Sequence, residues 1–543
     1  MKLKQIAVSL LLISVIEGYA QNPYLPLWEY TPDCEPYVFD DPDLPGKKRV
    51  YVYGSHDSMV TGYCGRELVC WSASTDSLQN WRFEGIILDV NKNARGEWLS
   101  EDRLSDVLYA PDIVETYDSK GEKMYYLYPN NMAGGRRTMV AKSRRPDGPF
   151  VPSNWSKENP NMTEGILEFD PAVFRDDDGR IYGYWGFETS NGAELDPETM
   201  ATLKSGTTVV ENMVSGVKQP GDFRFFEASS MRKIKDKYVF VYSRWTKDGE
   251  FGLPESNYTL AYAYSNSPLG PFTYGGTIID GRARNTNEKG EVIPTATPNC
   301  NTHGSICEIN GQWYVFYHRQ SGTDEYGRQA MVAPITVNVT EGPKGKVEIS
   351  EAEYTSEGFA LNGLDPLRTY SAGIACWFTG PRPVRCEYPN KYFTGSYIKT
   401  VRYDDTDLSK GKEREPWKYS DPYNLRYNHN PMINNTAGSV VGYKYFNFDS
   451  LSSLSSLRLI LSVLPLGIDG KIEIMVDSPW KSKGGKTVGS ITLSASMPQK
   501  LTTLSADVSA LKNMKGKHAI FLLFSSKTPD TSLCELHTIG FKE

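Results

Sequence analysis

Five short segments that share one pattern constrain the fold of this chain more than any other feature. In each, an acidic residue or a histidine leads into a short apolar strand, and a polar turn joins it to a tyrosine-rich strand. The lead residues are Asp33, Asp112, Asp170, Glu227 and His303. A multi-strand unit that recurs along a chain is typical of a β-propeller, whose innermost strands all face one axis. The pattern therefore predicts five blades and one axial pocket that collects the lead residues.

The rest of the first part of the chain supports an all-β fold. Turn sequences such as Asp178-Gly179 and Asn310-Gly311 separate alternating apolar runs, as hairpins require. Two outer strands are followed by the same form, S-x-x-P-x-G-P-F, which indicates internal repetition. No run has the period of an amphipathic helix.

The length of 543 residues predicts at least two domains. We expect a five-bladed β-propeller over residues 21–340 and a linker rich in Gly, Glu, Lys and Ser over 341–375. Alternating apolar runs over 376–543 predict a β-sandwich. The fold class is thus all-β, a propeller followed by a sandwich.

Charge and composition narrow the classes of partner. The net charge of −7 disfavours nucleic acid and anionic membranes. Aromatic residues make up 12% of the chain, which suits half-buried strands and surfaces that stack on sugar rings. Eight cysteines are too few for a disulfide framework. Local pairs, Cys64 with Cys70 or Cys376 with Cys386, stay open.

The N-terminus has the features of a secretory signal peptide, predicted over residues 1–20. Lys2 and Lys4 precede an apolar run over 6–16, and small residues follow before Gln21. The run is too short to span a membrane, so we expect an exported protein, secreted or periplasmic, without membrane insertion.

Carboxylates that converge on an aromatic pocket suit glycoside hydrolysis. One carboxylic acid protonates the leaving oxygen, and a second carboxylate activates water or attacks the sugar. Asp33, Asp112 and Glu227 supply three such groups. The alternative is that acidic residues at strand starts only terminate turns, as in many β-proteins.

The motifs PDCEPYVF, SDVLYAPDIVE, FDPAVFRDDDGRIYGYWG, FRFFEASSM and THGSICEINGQWYVFYHR together resemble glycoside hydrolase family 43. The resemblance covers about residues 22–340 and implies a five-bladed propeller that hydrolyses arabinose- and xylose-containing polysaccharides with inversion. It implies that Asp33 is the general base, Asp112 the pKa modulator and Glu227 the general acid. Glu35 competes for the role of base, because Glu35-Pro36 keeps the proline that usually follows the family's Asp.

The same resemblance implies further roles. His303 is expected to coordinate a structural Ca²⁺ together with waters. Asp170 and Arg319 match positions that hold the sugar next to the scissile bond. Trp185 and Phe226 either pack on the sugar or only on neighbouring strands.

The C-terminal part resembles a family 6 carbohydrate-binding module, a jelly-roll sandwich, through Asn434–Ser450 and Gly470–Leu493. Where that family closes with a Trp-containing strand, this chain has Glu535-Leu536-His537-Thr538-Ile539. Sugar binding by this module therefore stays open.

The sequence predicts an exported, inverting glycoside hydrolase that releases terminal arabinofuranose or xylose from plant hemicellulose or pectin side chains. Its partner would be a plant polysaccharide or oligosaccharide, and we expect a monomer. Two alternatives are a carbohydrate-binding protein with a degenerate active site and a β-galactofuranosidase or galactan-active hydrolase.

Overall fold

The computed structural model describes residues 20–58, 62–90, 92–99, 107–296, 301–323, 325–381, 395–400 and 430–543. The predicted signal peptide spans residues 1–20, and all of it except Ala20 lies outside the described residues. Cys300 and Cys386 also lie outside them. In the part of the chain that is described, no helix is long and apolar enough to cross a membrane.

The first half of the chain forms five successive antiparallel sheets, each with its strands in chain order. The first sheet contains β1 (Glu35–Asp40), β2 (Lys48–Gly54), β3 (Glu67–Ser74) and β4 (Arg82–Asp89). The second contains β5 (Leu108–Tyr117), β6 (Lys123–Asn131), β7 (Ala141–Ser143) and β8 (Val151–Pro152). The third contains β9 (Ala172–Arg175), β10 (Ile181–Trp185), β11 (Asn191–Leu195) and β12 (Val210–Glu211).

The fourth and fifth sheets are separated by a hairpin. The fourth contains β13 (Phe225–Ile234), β14 (Lys237–Arg244), β15 (Thr259–Ser265) and β16 (Thr273–Asp280). The hairpin is β17 (Arg284–Thr286) with β18 (Val292–Pro294). The fifth sheet contains β19 (Ser305–Ile309), β20 (Gln312–Gln320) and β21 (Arg328–Ile335), and a hairpin of β22 (Val337–Val339) and β23 (Val347–Ile349) follows.

The five sheets form a closed ring. Strand β1 contacts β5, β5 contacts β9, β9 contacts β13, and β19 contacts both β14 and β1. The start of the chain covers the free edge of β21, since the side chain of Asn22 exchanges two hydrogen bonds with the backbone of Val332. The backbone N–H of Tyr24 donates to the carbonyl of Ala330 at 3.3 Å. Residues from the two ends of this region thus close the ring.

The second half forms two further antiparallel sheets around one core. The strands are β24 (Tyr370–Ser371), β25 (Trp377–Thr379), β26 (Tyr397–Ile398), β27 (Met432–Ile433), β28 (Val440–Asn447), β29 (Arg458–Pro465), β30 (Gly470–Val476), β31 (Lys486–Leu493), β32 (Thr502–Asp507), β33 (Lys517–Ser525) and β34 (Cys534–Lys542). One sheet has the order β26-β27-β34-β29-β32, with β24 paired to β34, and the other has the order β25-β28-β33-β30-β31. Leu461 of β29 and Ile539 of β34 share a buried cluster with Ile474 of β30 and Leu522 of β33.

Helical structure in the described residues is limited to short 3₁₀ turns. They span Glu250–Gly252, Ala372–Ile374, Leu451–Ser453, Lys481–Lys483 and Ser509–Asn513.

The residues predicted as a linker, 341–375, are folded against both parts of the chain. The hairpin β22–β23 spans the predicted boundary at residue 340, and β24 belongs to the second part. Tyr354, Leu364 and Ile374 are buried in the cluster that both halves share. The glycine- and lysine-rich sequence forms the tight turn between β22 and β23. The two halves of the chain pack on a common core.

Three of the cysteines whose pairing the sequence left open are unpaired. Cys64, Cys70 and Cys376 are buried and free. Cys64 Sγ lies 3.2 Å from a guanidinium nitrogen of Arg328, which fixes it beside the cavity described below.

Candidate active site

A cavity of about 200 Å³ opens where the innermost strands of the ring begin. Four of the five lead residues line it, and three of them are carboxylic acids. The lining residues are Asp33, Tyr63, Tyr109, Ala110, Asn130, Met132, Phe169, Asp170, Glu227, Asn301, His303 and Arg328.

The strand register decides which side chains reach this cavity. The hydroxyl of Ser55 donates to Asp33 at 2.6 Å and accepts the backbone N–H of Ala110 at 2.7 Å, which places Ala110 level with Asp33. The register of β5 with β6 shifts between Tyr109 and Asp112, and the Asp112 carboxylate contacts Tyr37 of β1 instead of lining the cavity.

Asp33 is buried, and its carboxylate is paired with the guanidinium of Arg328. Its Oδ1 lies 2.9 Å from Nη1 of Arg328, and its backbone N–H donates to Nδ1 of His318 at 3.3 Å. Burial opposes ionisation, but the guanidinium of Arg328 and the hydroxyl of Ser55 outweigh it and hold the pKa of Asp33 below its usual value. Asp33 is thus an ionised carboxylate at neutral pH.

His318 supports Asp33 as a neutral ring. Burial lowers the pKa of His318 to about 3. Its Nδ1 accepts from the Asp33 backbone, and its Nε2 lies 3.0 Å from the carbonyl oxygen of Asn301. The proton therefore resides on Nε2.

Glu227 has the opposite electrostatic environment. It is 8% exposed and lies at an irregularity of β13, where the register with β14 shifts on both sides of it. Burial raises the pKa of Glu227 well above its usual value, and the carboxylates of Asp170 and Asp33 raise it further. Glu227 is therefore suited to keep its proton near neutral pH.

Asp170 connects the second sheet to the strand that carries Glu227. Its Oδ1 accepts from the side-chain amide of Asn130 at 2.7 Å, and its Oδ2 accepts from the backbone N–H of Ala228 at 3.1 Å. Burial raises the pKa of Asp170, while His303, with Nδ1 3.6 Å from Oδ2, lowers it. Asp170 thus both positions the backbone beside Glu227 and places a carboxylate near its proton.

A second carboxylate pair lies beneath the cavity. Glu35 forms an ion pair with Arg232 at 2.8 Å and accepts from Ser230 at 3.2 Å. Asp112 accepts from Tyr37 and from the backbone N–H of Val173, each at 2.7 Å. Burial raises the pKa of Glu35 to about 8 and also raises that of Asp112. These groups form a buried layer under the catalytic candidates.

A cavity that holds an ionised carboxylate and a protonated one suits glycosidic-bond hydrolysis, and comparison with known proteins agrees. The model of glycosyl hydrolases family 43 matches residues 36–341, more than half of the chain. The chain belongs to glycosyl hydrolases family 43. It is a glycosidase.

Relatives in family 43 extend along most of the chain. A xylosidase/arabinosidase of Thermoclostridium stercorarium is 32% identical over 453 residues, which are 80% of this chain and 84% of that protein. A beta-xylosidase of Xylanibacter ruminicola is 29% identical over 328 residues, 53% of this chain and 88% of the relative. The crystal structure of an arabinoxylan arabinofuranohydrolase of Bacillus subtilis with cellotetraose is 19% identical, covers 96% of this chain and 97% of its own, and has a TM-score of 0.45.

Asp112, which the sequence predicts in the pocket of this family 43 enzyme, is not among the residues that line it. In the APDIVE segment the residue at the cavity is Ala110, whose N–H donates to the same Ser55 hydroxyl that donates to Asp33. The hydrogen bonds from Tyr37 and Val173 engage both oxygens of Asp112. The carboxylate beside Glu227 is that of Asp170, which accepts from the N–H of Ala228 and raises the pKa of Glu227.

Arg319 also points away from the cavity. Neighbouring side chains of a strand face opposite sides, and because His318 faces Asp33, Arg319 faces the second half of the chain. It donates to the carbonyl oxygens of Ala375, at 2.9 Å, and Gly373. The guanidinium in the cavity belongs instead to Arg328.

Trp185 and Phe226 do not line the cavity. Trp185 is buried in the core of the third sheet. Phe226 is 8% exposed and packs against Phe187 and Trp245, with ring centroids 4.9 and 4.8 Å away. The alternative that both aromatics pack within the fold agrees with the structure.

Sequence reasoning missed Arg328, which joins Asp33 to a second buried carboxylate. Its guanidinium lies 2.9 Å from oxygens of both Asp33 and Asp57. Asp57 follows the tyrosine-rich strand β2 in the sequence VYVYGSHD, and Arg328 begins β21. The sequence held two signals for this pair. Asp57 is an acidic residue without an assigned role that follows a repeat strand, and Arg328 is a basic residue at the start of another repeat strand.

His303 lines the cavity but has few metal-binding neighbours. Calcium normally takes six to eight oxygen ligands. Among the described residues no group of three or more His, Cys, Asp or Glu side chains is placed to hold a metal ion. Side chains of the described residues therefore do not form a calcium site on their own, and the predicted ion at His303 depends on water ligands.

Proposed function

We propose that this family 43 glycosidase hydrolyses with inversion and releases a terminal arabinofuranose or xylose residue. The observation that carries the assignment of base and acid is the opposite pKa shift of two carboxyls in one cavity, Asp33 lowered and Glu227 raised. Two titratable groups whose environments separate their pKa values are the mark of a base and an acid.

In the proposed mechanism Glu227 donates its proton to the glycosidic oxygen as the bond to the anomeric carbon breaks. Asp33 accepts a proton from a water molecule whose oxygen attacks that carbon from the opposite face. The products are the free sugar of inverted configuration and the alcohol. Asp33 then releases its proton and Glu227 regains one through solvent, which restores the starting state.

Asp170 replaces Asp112 as the proposed pKa modulator. Its carboxylate raises the pKa of Glu227, and its hydrogen bond to the N–H of Ala228 fixes the strand next to the acid. Arg328 keeps Asp33 ionised and orients one of its oxygens. Both are positioning residues for the two groups that move protons.

The size of the cavity supports action on terminal sugars. Its volume of about 200 Å³ lies below the roughly 300–1,000 Å³ of sites that take drug-sized ligands. A space of that size suits one pentose ring. The names of the relatives, xylosidase/arabinosidase and beta-xylosidase, support arabinofuranosides and xylosides as the substrate class.

Several finer properties are part of the proposal. The closed ring of five sheets supports a five-bladed β-propeller, and two sheets around one core support the C-terminal β-sandwich. We propose that this sandwich is a carbohydrate-binding module, that the protein is exported through its N-terminal segment, and that it is a monomer. Binding of the whole protein to arabinoxylan tests the module. Sequencing of the N-terminus of the mature protein tests export, and light scattering tests the monomer.

Two variants test the catalytic assignment. Glu227→Gln and Asp33→Asn should each lower hydrolysis of natural oligosaccharides by about 10²–10⁴-fold, the usual contribution of a general acid or base. Proton NMR of the first-formed sugar should show the inverted anomer. Near-normal turnover in either variant, or a retained anomer, would contradict the mechanism.

A panel of substrates tests the specificity and the alternatives. Arabinofuranosides and xylosides should be hydrolysed, while a galactofuranoside should be hydrolysed much more slowly. Tight binding of pentosides without turnover would instead support a carbohydrate-binding protein.

A further inference from the structure

We infer that Phe187 is the platform on which the leaving-group sugar stacks, and that it selects substrates with a sugar ring at that position. The inference rests on the proposed function, in which Glu227 protonates the glycosidic oxygen. Because the acid must lie on the leaving-group side of the scissile bond, the ring that departs lies beyond Glu227.

Four aromatic rings lie in contact on this side of the cavity. Phe169 lines the cavity, and its ring centroid is 5.0 Å from that of Phe187. The ring centroid of Phe187 is 4.9 Å from that of Phe226, the residue directly before Glu227. The ring centroid of Phe226 is in turn 4.8 Å from that of Trp245. The series therefore begins in the cavity and passes beside the acid.

Phe187 is the member of the series that faces solvent. Its side chain is 49% exposed, whereas Phe226 is 8% exposed. Phe226 and Phe169 pack against Phe187 at interplanar angles of 59°, which supports the ring from within the protein. A large exposed aromatic ring that packs on the cavity-lining Phe169 offers a flat apolar face of the kind that stacks on the C–H face of a sugar.

The backbone on both sides of Phe187 is fixed to the rings that it contacts. The N–H of Gly186 donates to the carbonyl of Phe169 at 2.8 Å, and the N–H of Glu188 donates to that of Phe226 at 2.6 Å. Gly186 has φ 141°, and a Cβ at this position would lie 1.8 Å from the carbonyl oxygen of Thr189. The platform is thus held in place before substrate binds, which reduces the ordering cost of binding.

The test compares a substrate with a leaving-group ring and one without. The first is xylobiose or an arabinofuranosyl xylo-oligosaccharide, whichever the wild type hydrolyses, and the second is the matching pentosyl fluoride. We expect Phe187→Ala and Phe187→Leu to lower kcat/KM on the oligosaccharide about three- to tenfold, the scale of one aromatic contact. The fluoride should be hydrolysed at the wild-type rate, and Phe187→Trp should retain oligosaccharide activity.

Tyr117→Ala is the matched control, because Tyr117 is 47% exposed at the last position of β5, outside the cavity lining. It should leave both rates unchanged. An equal loss on both substrates, or no loss on either, in the Phe187 variants would overturn the inference while the wild-type rates uphold the proposed function. A wild type that hydrolyses neither substrate would overturn the proposed function and the inference with it.

Discussion

Oδ2 of Asp170 accepts a hydrogen bond of 3.1 Å from the backbone N–H of Ala228, the residue that follows Glu227. One carboxylate thereby fixes the strand beside the proposed acid and stands close enough to raise its pKa. Asp112 lies a layer deeper and contacts the backbone at Val173. This difference in depth separates a group that acts on Glu227 from one that supports the fold.

We expect Asp170→Asn to lower kcat/KM about a hundredfold, the cost of misplacing a catalytic group by about 1 Å. It should also move the alkaline limb of the pH profile to lower pH. Glu227 works protonated, so activity is lost as pH rises through its pKa, and removal of the Asp170 charge lowers that pKa. The pH dependence of kcat/KM on a pentoside measures this shift.

Asp112→Asn is the control for that prediction. It removes a buried carboxylate from the lower layer and should reduce the free energy of unfolding, but it should leave the alkaline limb in place. If Asp112→Asn moves the limb and Asp170→Asn does not, the assignment of the two residues is reversed.

Replacing Arg328 by Gln should move both limbs of the pH profile to higher pH. The guanidinium lowers the pKa of Asp33 and also that of Glu227. Asp33 works ionised, so a higher pKa moves the acid limb up, and a higher pKa of Glu227 moves the alkaline limb up. Limbs that stay in place would show that Arg328 does not set the charge of either group.

The same variant should also destabilise the protein. Arg328 pairs with Asp33 and Asp57, and all three side chains are buried. Loss of one partner from a buried ion pair costs about 3–5 kcal/mol. Urea denaturation measures it, and Arg328→Lys, which keeps the charge, should lose less stability than Arg328→Gln.

The repeat in the sequence predicts the ring of sheets, and four of its five lead residues line the cavity. Asp33, Asp170, Glu227 and His303 follow from the repeat, because each lies within two residues of the start of an innermost strand. Asp112 is the exception, because in its repeat the residue at the cavity is Ala110 and the register of β5 shifts between Tyr109 and Asp112. One repeat with alanine at the lead position is enough to cause that exception.

Other parts of the site depend on contacts that no local pattern records. Arg328 reaches Asp57 across 271 positions of the chain, so only the closed ring brings them together. Arg319 and His318 differ in sequence by one position, and the strand turns them to opposite sides. Phe187 follows a strand in a non-repeating loop, and its role depends on packing against Phe169 and Phe226.

Removal of calcium should have little effect on this protein. Among the described residues no group of three or more His, Cys, Asp or Glu side chains is placed to hold a metal ion, so a calcium ion at His303 would be bound mainly through waters. We expect a chelator to change Tm by less than about 2 °C, within the shift of a small interaction, and to leave kcat/KM unchanged. A larger loss that calcium restores in the wild type but not in His303→Ala would instead establish the predicted site.

Glu35 should affect stability and not the chemical step. It lies below the cavity and pairs with Arg232, so Glu35→Gln should keep most of its activity while Asp33→Asn loses it. This comparison decides between the two candidates for the general base. Activity lost in Glu35→Gln and kept in Asp33→Asn would make Glu35 the base.

The pH dependence of unfolding gives a second test of Glu35. Burial raises its pKa from 4.5 to about 8 in the folded protein. Its contribution to stability is therefore complete below pH 4.5 and is lost as pH rises through about 8, because the folded state binds the proton more tightly than the unfolded state. Glutamine stays neutral, so the free energy of unfolding of Glu35→Gln, relative to wild type, should increase between pH 5 and 8. Parallel curves for the two proteins would show that Glu35 is ionised throughout this range and that Arg232 outweighs its burial.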